Sequence, residues 1–116
     1  MSSDITALVK KYIETWNILD ADQRRAAIDA LFTEDVEYVD NNVQIEGRAA
    51  LDDYIAQTQK ELAGAVFSLA GEVSSHHDLA RFTWHVGPAD GQPIAIGYDF
   101  AAVENGQVRR LYGFFS

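Results

Sequence analysis

The sequence contains no cysteine and only 2 prolines among its 116 residues. The absence of cysteine excludes disulfides, thiolate metal sites and thiol nucleophiles. Basic side chains are also scarce, since 9 lysines and arginines stand against 18 aspartates and glutamates, for a net charge of −9. Such a charge repels phosphate backbones and anionic lipid headgroups, so we expect neither a nucleic-acid partner nor a membrane partner.

Long apolar runs are missing as well. The N-terminal segment 1–11 has no apolar stretch ahead of a small-residue cleavage site, so we predict no signal peptide and no transmembrane span, and we expect a cytoplasmic protein. Apolar residues nevertheless make up 47% of the chain, which argues against disorder. Because no linker, repeat or low-complexity stretch interrupts it, we predict one domain over residues 1–116.

The first half of the chain has the apolar period of helices. Apolar residues recur every three or four positions over residues 5–19, which predicts an amphipathic helix. Residues 20–23 resemble a capping box that opens a second helix, whose buried face would end at Phe32. A short strand at 36–40 and a third helix after Gly47 complete this half.

The second half alternates with the period of strands. We predict strands at residues 67–75, 79–86, 94–103 and 108–115. The Asn105-Gly106 pair between the last two is a strong hairpin signal. Helices placed ahead of a largely antiparallel sheet indicate an α+β fold.

The strand at 94–103 is apolar on both faces. Its two sets of alternating residues are Ile96, Tyr98 and Phe100 on one face and Ala95, Gly97, Asp99 and Ala101 on the other. One face should meet the helices, and a second copy of the sheet is the expected cover for the other. We therefore expect a homodimer formed through the sheet; the alternative is a monomer with an apolar outer face.

Three local segments resemble the nuclear transport factor 2-like superfamily, which includes ketosteroid isomerase and the SnoaL-like polyketide cyclases. They are LFTEDV at 31–36, IEGR at 45–48 and ENGQV at 104–108, and the order of predicted elements agrees. The resemblance implies a cone-shaped, cystatin-like α+β fold in which N-terminal helices pack on a curved, mostly antiparallel sheet. This superfamily hosts isomerases, dehydratases, epoxide hydrolases, cyclases and binding modules, so the fold leaves the function open.

Bacterial ketosteroid isomerase is the member that can be compared residue by residue. Tyr12 matches its oxyanion-hole tyrosine, Asp40 its general-base aspartate, and Asp99 its protonated oxyanion-hole carboxyl. The chain departs from that enzyme at Asn41, where it has proline, and at Phe32 and Ile55, where tyrosines often support the oxyanion tyrosine.

Two carboxyl groups in one apolar pocket should titrate differently. In this hypothesis Asp40 removes an acidic proton beside a carbonyl, while Tyr12 and a protonated Asp99 donate to the developing enolate oxygen. Small residues beside Asp99 on its strand, Gly97 among them, would leave room for a ligand. The side chains expected to contact the substrate are Trp16, Phe82, Trp84, Leu111 and Phe115.

The sequence thus predicts a small-molecule pocket protein, and specifically a cofactor-independent acid–base enzyme of the isomerase, cyclase or lyase type acting on a small apolar carbonyl compound. Two alternatives stay open. One is a module that binds a hydrophobic ligand without turnover, and the other is a dimeric interaction module whose cavity is filled by Trp16, Trp84 and Phe115. Asp40 could also serve only to order the turn after its strand.

The histidines carry weaker expectations, and no metal site is predicted. His76 and His77 are expected in a solvated turn, with a metal site as the alternative. His85 and Arg81 are assigned to the outer face of the sheet, although a shift of one residue in register would turn them inward.

Overall fold

The computed structural model describes residues 2–115, in which helices are followed by a sheet. The elements are α1 Ser2–Thr15, α2 Ala21–Leu31, β1 Phe32–Val39, β2 Gln44–Glu46, α3 Arg48–Glu61, β3 Val66–His76, β4 Leu79–Gly87, β5 Ala95–Glu104 and β6 Gln107–Phe115. The strands form one sheet in the order β2-β1-β6-β5-β4-β3. Neighbouring strands are antiparallel except for β1 and β6, which are parallel. The predicted α+β class is confirmed.

Both ends of α2 lie where the sequence placed them. Oδ2 of Asp20 accepts the backbone N–H of Gln23 at 2.9 Å. Phe32, predicted as the last buried residue of this helix, is wholly buried and donates its N–H to the Ile28 oxygen as the C-cap. It is also the first residue of β1, where it pairs with Val108 of β6. The strand was predicted to begin only at residue 36, because its pairing partner lies far along the chain and local periodicity carries no information about that partner.

The apolar stripe of α1 also ends earlier than the sequence suggested. Leu19 was part of that stripe, yet it is 77% exposed. The helix ends at Thr15, and residues 16–20 turn towards α2 instead of continuing the helical face. No helix among residues 2–115 is long and apolar enough to cross a membrane.

A polar network fixes this turn against α2 and α3. Arg24 and Asp52 form a buried ion pair, with 2.6 Å between Nε and Oδ1. Gln59 of α3 accepts from Arg24 through Oε1 and donates through Nε2 to the backbone oxygens of Trp16 and Ile18. Gln59 of α3 therefore holds the backbone of Trp16 directly, and Arg24 of α2 holds Gln59 in place.

The sheet has an inner face that meets the helices and an outer face that no described residue covers. On β5 the inner residues Gly97 and Asp99 are buried, whereas the outer residues Tyr98 and Phe100 are 48% and 41% exposed. Arg81 pairs with Phe100, and His85 pairs with Ile96. Both side chains therefore lie on the outer face, in the register that the alternation of β4 predicted.

Candidate functional site

A cavity of about 240 Å³ lies between the inner face of the sheet and helices α1 and α3. Its wall is largely apolar and includes the aromatic rings of Trp16, Trp84 and Phe115. These three side chains were candidates for filling the space, but they line it and leave it open. Among the residues that the structure describes, no lysine, arginine or histidine contributes to the lining.

Asp99 lies at the buried end of this cavity and is 3% exposed. Its Oδ1 accepts the indole N–H of Trp84 at 3.0 Å, and its carboxyl group also accepts a hydrogen bond from the Tyr12 hydroxyl. Burial raises the pKa of Asp99 to about 7, against the opposing effect of these two donors, and the nearby charge of Asp40 adds to the rise. Near neutral pH this carboxyl is therefore present in both protonation states.

Tyr12 is held beside Asp99 by apolar rings. It is almost fully buried, and the rings of Phe32 and Phe82 each pack against it at 5.9 Å between centroids. Burial, and then the negative charge of Asp99, raises the pKa of Tyr12 well above its usual value. The hydroxyl therefore stays neutral and available as a donor.

Asp40 has quite different surroundings at the end of β1. Its Oδ1 accepts the backbone N–H groups of Asn42 and Val43 at 2.8 and 3.2 Å, and its Oδ2 accepts the hydroxyls of Tyr38 and Tyr54 at 2.7 and 2.8 Å. A carboxylate offers about four acceptor sites. All of them are occupied, so Asp40 orders the turn after β1 and also borders the cavity.

Tyr38 and Tyr54 are site residues that the sequence analysis missed. Burial raises the pKa of both hydroxyls, and the hydrogen bonds to Asp40 raise it further, so both remain neutral donors. A signal was present, because Tyr38 lies two residues before Asp40 on one strand and therefore on the same face. Buried tyrosine hydroxyls also need a partner, and a carboxylate is an effective one.

Two glycines of the inner face make room for neighbouring side chains and not for a ligand. Gly97 was expected to leave room for a ligand, but a Cβ there would overlap the Trp84 ring, which fills that space and reaches Asp99. A Cβ on Gly113 would lie 2.6 Å from Oδ1 of Asp99 and 3.6 Å from Cβ of Asp40. The absence of a side chain at Gly113 therefore allows the two aspartates to come close, and the sequence analysis did not identify this residue.

Two of the expected substrate contacts are placed elsewhere. Phe82 packs on Tyr12, and Leu111 is wholly buried opposite Tyr38 in the sheet. Both belong to the core beneath the cavity and are absent from its lining. Their large apolar side chains suited either position, and the outcome depended on how deep the cavity extends.

The paired histidines lie where β3 turns into β4, with His76 as the last residue of β3 and His77 in the turn. Nδ1 of His76 and Nδ1 of His77 are 3.1 Å apart, and both residues are exposed. Within the described part of the chain, no group of three or more histidine, aspartate or glutamate side chains is arranged to hold a metal ion.

The sequence and the fold were compared with those of known proteins. A family model described as the SnoaL-like domain matches residues 9–111. None of the curated proteins matches the chain. Three solved structures illustrate the likeness. A SnoaL-like family protein from Agrobacterium tumefaciens, described as a candidate isomerase, has a TM-score of 0.92 and 27% identity, with 100% of this chain and 99% of that chain covered.

The other two structures are similar over most of their length. A candidate ketosteroid isomerase from Kribbella flavida has a TM-score of 0.71 and 25% identity, with coverage of 98% of this chain and 78% of that one. A candidate polyketide cyclase from Sinorhizobium meliloti has a TM-score of 0.75 and 19% identity, with coverage of 97% and 98%. The fold is the nuclear transport factor 2-like α+β cone that the sequence resemblance implied. Because the family match spans nearly the whole sequence, this chain belongs to the SnoaL-like family.

Proposed function

We propose that this protein is a cofactor-independent acid–base enzyme that acts on a small apolar carbonyl compound, as an isomerase or cyclase does. One observation carries the proposal: two carboxyl groups, Asp40 and Asp99, border one largely apolar cavity on either side of Gly113, in unlike surroundings. Groups whose environments differ in this way are the usual acid–base partners of enzymes. The descriptions of similar structures as isomerases and a cyclase support the same class of chemistry.

We assign the mobile proton to Asp99. The sequence resemblance gave the role of base to Asp40, but four donors already occupy that carboxylate and leave no acceptor site for a substrate proton. Asp99 has fewer hydrogen bonds, and burial raises its pKa to about 7, which suits proton transfer at neutral pH. Asp40 then lies beside it and adds to the rise in the pKa of Asp99.

The proposed step is an enolisation. The Asp99 carboxylate takes a proton from the carbon next to the substrate carbonyl, the C–H electron pair forms the enolate, and Asp99 returns the proton to the same or a neighbouring carbon. The Tyr12 hydroxyl turns from Asp99 to the enolate oxygen and stabilises the developing charge. Both contacts can be made at once because the carbonyl oxygen and the acidic carbon are separated by a single atom.

Deuterium exchange tests this step without knowledge of the natural substrate. The purified protein is incubated in heavy water with 2-tetralone, a two-ring ketone with acidic protons, and incorporation is followed by NMR between pH 5 and 9. We expect acceleration over buffer that rises through about pH 7, as Asp99 ionises. Asp53→Asn, a change in an exposed carboxylate of α3, is the matched control. If the protein accelerates exchange neither in 2-tetralone nor in any of a series of one-ring ketones, the proposal is wrong.

A binding module without turnover is the second candidate. The full set of hydrogen bonds to Asp40 favours it, because a carboxylate so well satisfied has a structural purpose whether or not chemistry takes place. Saturable ligand binding combined with no exchange would support this candidate over the enzyme.

We also propose that two copies of the chain associate through the outer face of the sheet. Its exposed apolar side chains form a continuous patch, in which Tyr98 stacks on Phe114 at 5.6 Å and Phe100 meets Phe114 at 6.1 Å. A patch of contiguous aromatic rings is unusual on a monomer. Sedimentation of the wild type should give a particle of twice the chain mass of 12.9 kDa. The Phe114→Glu variant should sediment as a monomer. A monomeric wild type would contradict the proposal.

A further inference from the structure

Three aromatic rings form a row along the sheet side of the cavity. Trp84 lies in the middle, with its centroid 5.7 Å from that of Phe67 and 6.1 Å from that of Phe115. The Trp84 ring packs directly on the backbone of Gly97 and donates a hydrogen bond to Asp99, and both contacts fix its position. The two outer rings stand at strand ends, and Phe67 also packs against Trp16, with 5.3 Å between the ring centroids.

An asparagine side chain fixes the backbone of each outer ring. Asn17 donates to the backbone oxygen of Phe67 at 2.9 Å and accepts its N–H at 2.8 Å. Asn41 makes the same pair of bonds with Phe115, at 2.7 and 3.2 Å. Each amide thus bonds both backbone groups of one residue, as a neighbouring strand would. These two residues lie after α1 and after β1, far apart in sequence, and yet they act alike on the same wall.

The volume of the cavity indicates the size of the ligand that it can enclose. An apolar cavity of about 150 Å³ accommodates benzene, which corresponds to about 25 Å³ for each heavy atom. By that measure the 240 Å³ present here admits roughly ten heavy atoms, the size of two fused rings. A four-ring steroid has about twice as many.

The charges around the cavity limit what it can hold in a second way. Its lining carries the carboxyl groups of Asp40, Asp99 and Glu61, and no basic side chain among residues 2–115 lines it. The net charge of −9 has the same sign. An anionic ligand would lose its hydration and gain no counter-charge.

We propose that Phe67 and Phe115, held in position by Asn17 and Asn41, are the specificity-determining residues of this cavity, and that its ligands are uncharged compounds of about two rings with one carbonyl oxygen. This inference rests on the proposed function for the carbonyl group, and on the cavity alone for size and charge. It sets the protein apart from an enzyme for intact steroids or for carboxylate-bearing compounds.

Binding measurements test size and charge separately from turnover. Both tryptophans of the chain line the cavity, so their fluorescence reports on its occupancy without a label. The probes are 2-tetralone, tetralin-2-carboxylate and a neutral four-ring 3-ketosteroid, each titrated at pH 8 and confirmed by calorimetry. We expect saturable binding of 2-tetralone, at least tenfold weaker binding of the carboxylate, and no saturable binding of the steroid. Equal or tighter binding of either of the last two would overturn the proposal.

Variants of the wall test the residues themselves. Phe115→Ala should enlarge the cavity and bring a three-ring ketone to within a few-fold of the affinity for 2-tetralone. The ratio of the affinity for the three-ring ketone to that for 2-tetralone should therefore rise in Phe115→Ala. It should also rise in Asn41→Ala, because this variant frees the backbone of Phe115 without removing its ring. Leu19→Ala, which removes an exposed apolar side chain outside both the cavity and the outer-face patch, is the matched control and should leave the ratio unchanged. A ratio that also stays constant in the first two variants would contradict the assignment.

The outcomes also separate this inference from the proposed function. If 2-tetralone binds and is not exchanged, the acid–base step fails and the size and charge limits stand. If 2-tetralone is exchanged and the steroid binds as tightly, the step stands and the limits fail.

Discussion

Asp40 and Asp99 border the same cavity, but they differ in their hydrogen bonds and in their burial. Asp40 follows a strand and receives four hydrogen bonds, two from a backbone turn and two from tyrosine hydroxyls. Asp99 lies mid-strand, where burial is the largest effect and two donors offset it only in part. The difference shows that proximity to a cavity does not decide the role of a carboxyl. We propose that the number of donors and the degree of burial set the role, so that Asp40 orders the turn after β1 and Asp99 exchanges a proton with the substrate.

The largest expected effect comes from removing the carboxyl of Asp99, to which we assign the proton transfer. Asp99→Asn should lower the rate of deuterium incorporation by about 10²- to 10⁴-fold, the range attributed to a single general base. The amide oxygen can still accept from Trp84, so the fold should persist and circular dichroism should be unchanged. If instead Asp40→Asn shows this loss and Asp99→Asn keeps most of the rate, the two roles are the reverse of those assigned here.

Asp52 is a third buried aspartate, and unlike Asp99 it is paired with a cation. Asp52 is nearly as buried as Asp99, but it pairs with Arg24 at 2.6 Å. Arg24→Met should lower the free energy of unfolding by about 3 kcal/mol, because it removes the nearer of the two arginines from a buried carboxylate and leaves it only Arg25, at 3.7 Å. Urea denaturation measures this loss. The double variant Arg24→Met with Asp52→Leu should recover most of it, and failure to recover would mean that packing of the arginine stem matters more than charge.

The pH dependence of stability should reveal Asp99 directly. Its pKa is raised from 3.8 to about 7 on folding, so the folded chain holds a proton there that the unfolded chain has already lost. The contribution of Asp99 is therefore fully present below about pH 4 and is lost as the pH rises towards 7, up to about 4 kcal/mol in total. Urea denaturation of the wild type and Asp99→Asn between pH 4 and 8 should show a difference that grows with pH. A difference that stays constant would mean that the carboxyl titrates normally.

The fold was largely predictable because its signals are local. Helical period, a cap at Asp20 and strand alternation depend on neighbouring residues, and they gave the elements and the faces of β4 and β5. The beginning of β1 at Phe32 was not predictable in this way, since it depends on pairing with β6 across the whole chain.

The candidate site was predictable only in its outline. The resemblance to ketosteroid isomerase pointed to Tyr12, Asp40 and Asp99, and the structure brings all three to one cavity. The hydrogen bond from Tyr54 to Asp40 was missed because it depends on where α3 packs against β1, whereas the bond from Tyr38 is local and its signal was overlooked. A sequence lists the groups able to form hydrogen bonds, whereas the docking of elements decides which ones meet.

The smallest expected effect is also the one that separates the two aspartates most sharply. Asp40 raises the pKa of Asp99 by its charge, while the Trp84 N–H lowers it by donating to Oδ1. Asp40→Asn should therefore lower the pKa of Asp99 and Trp84→Phe should raise it, each by about one pH unit or less. The carboxyl carbon of Asp99, followed by NMR against pH, reports this value without any substrate. Because the two shifts have opposite signs, general loosening of the cavity cannot produce both, and shifts in the same direction would show that hydration, and not these two neighbours, controls Asp99.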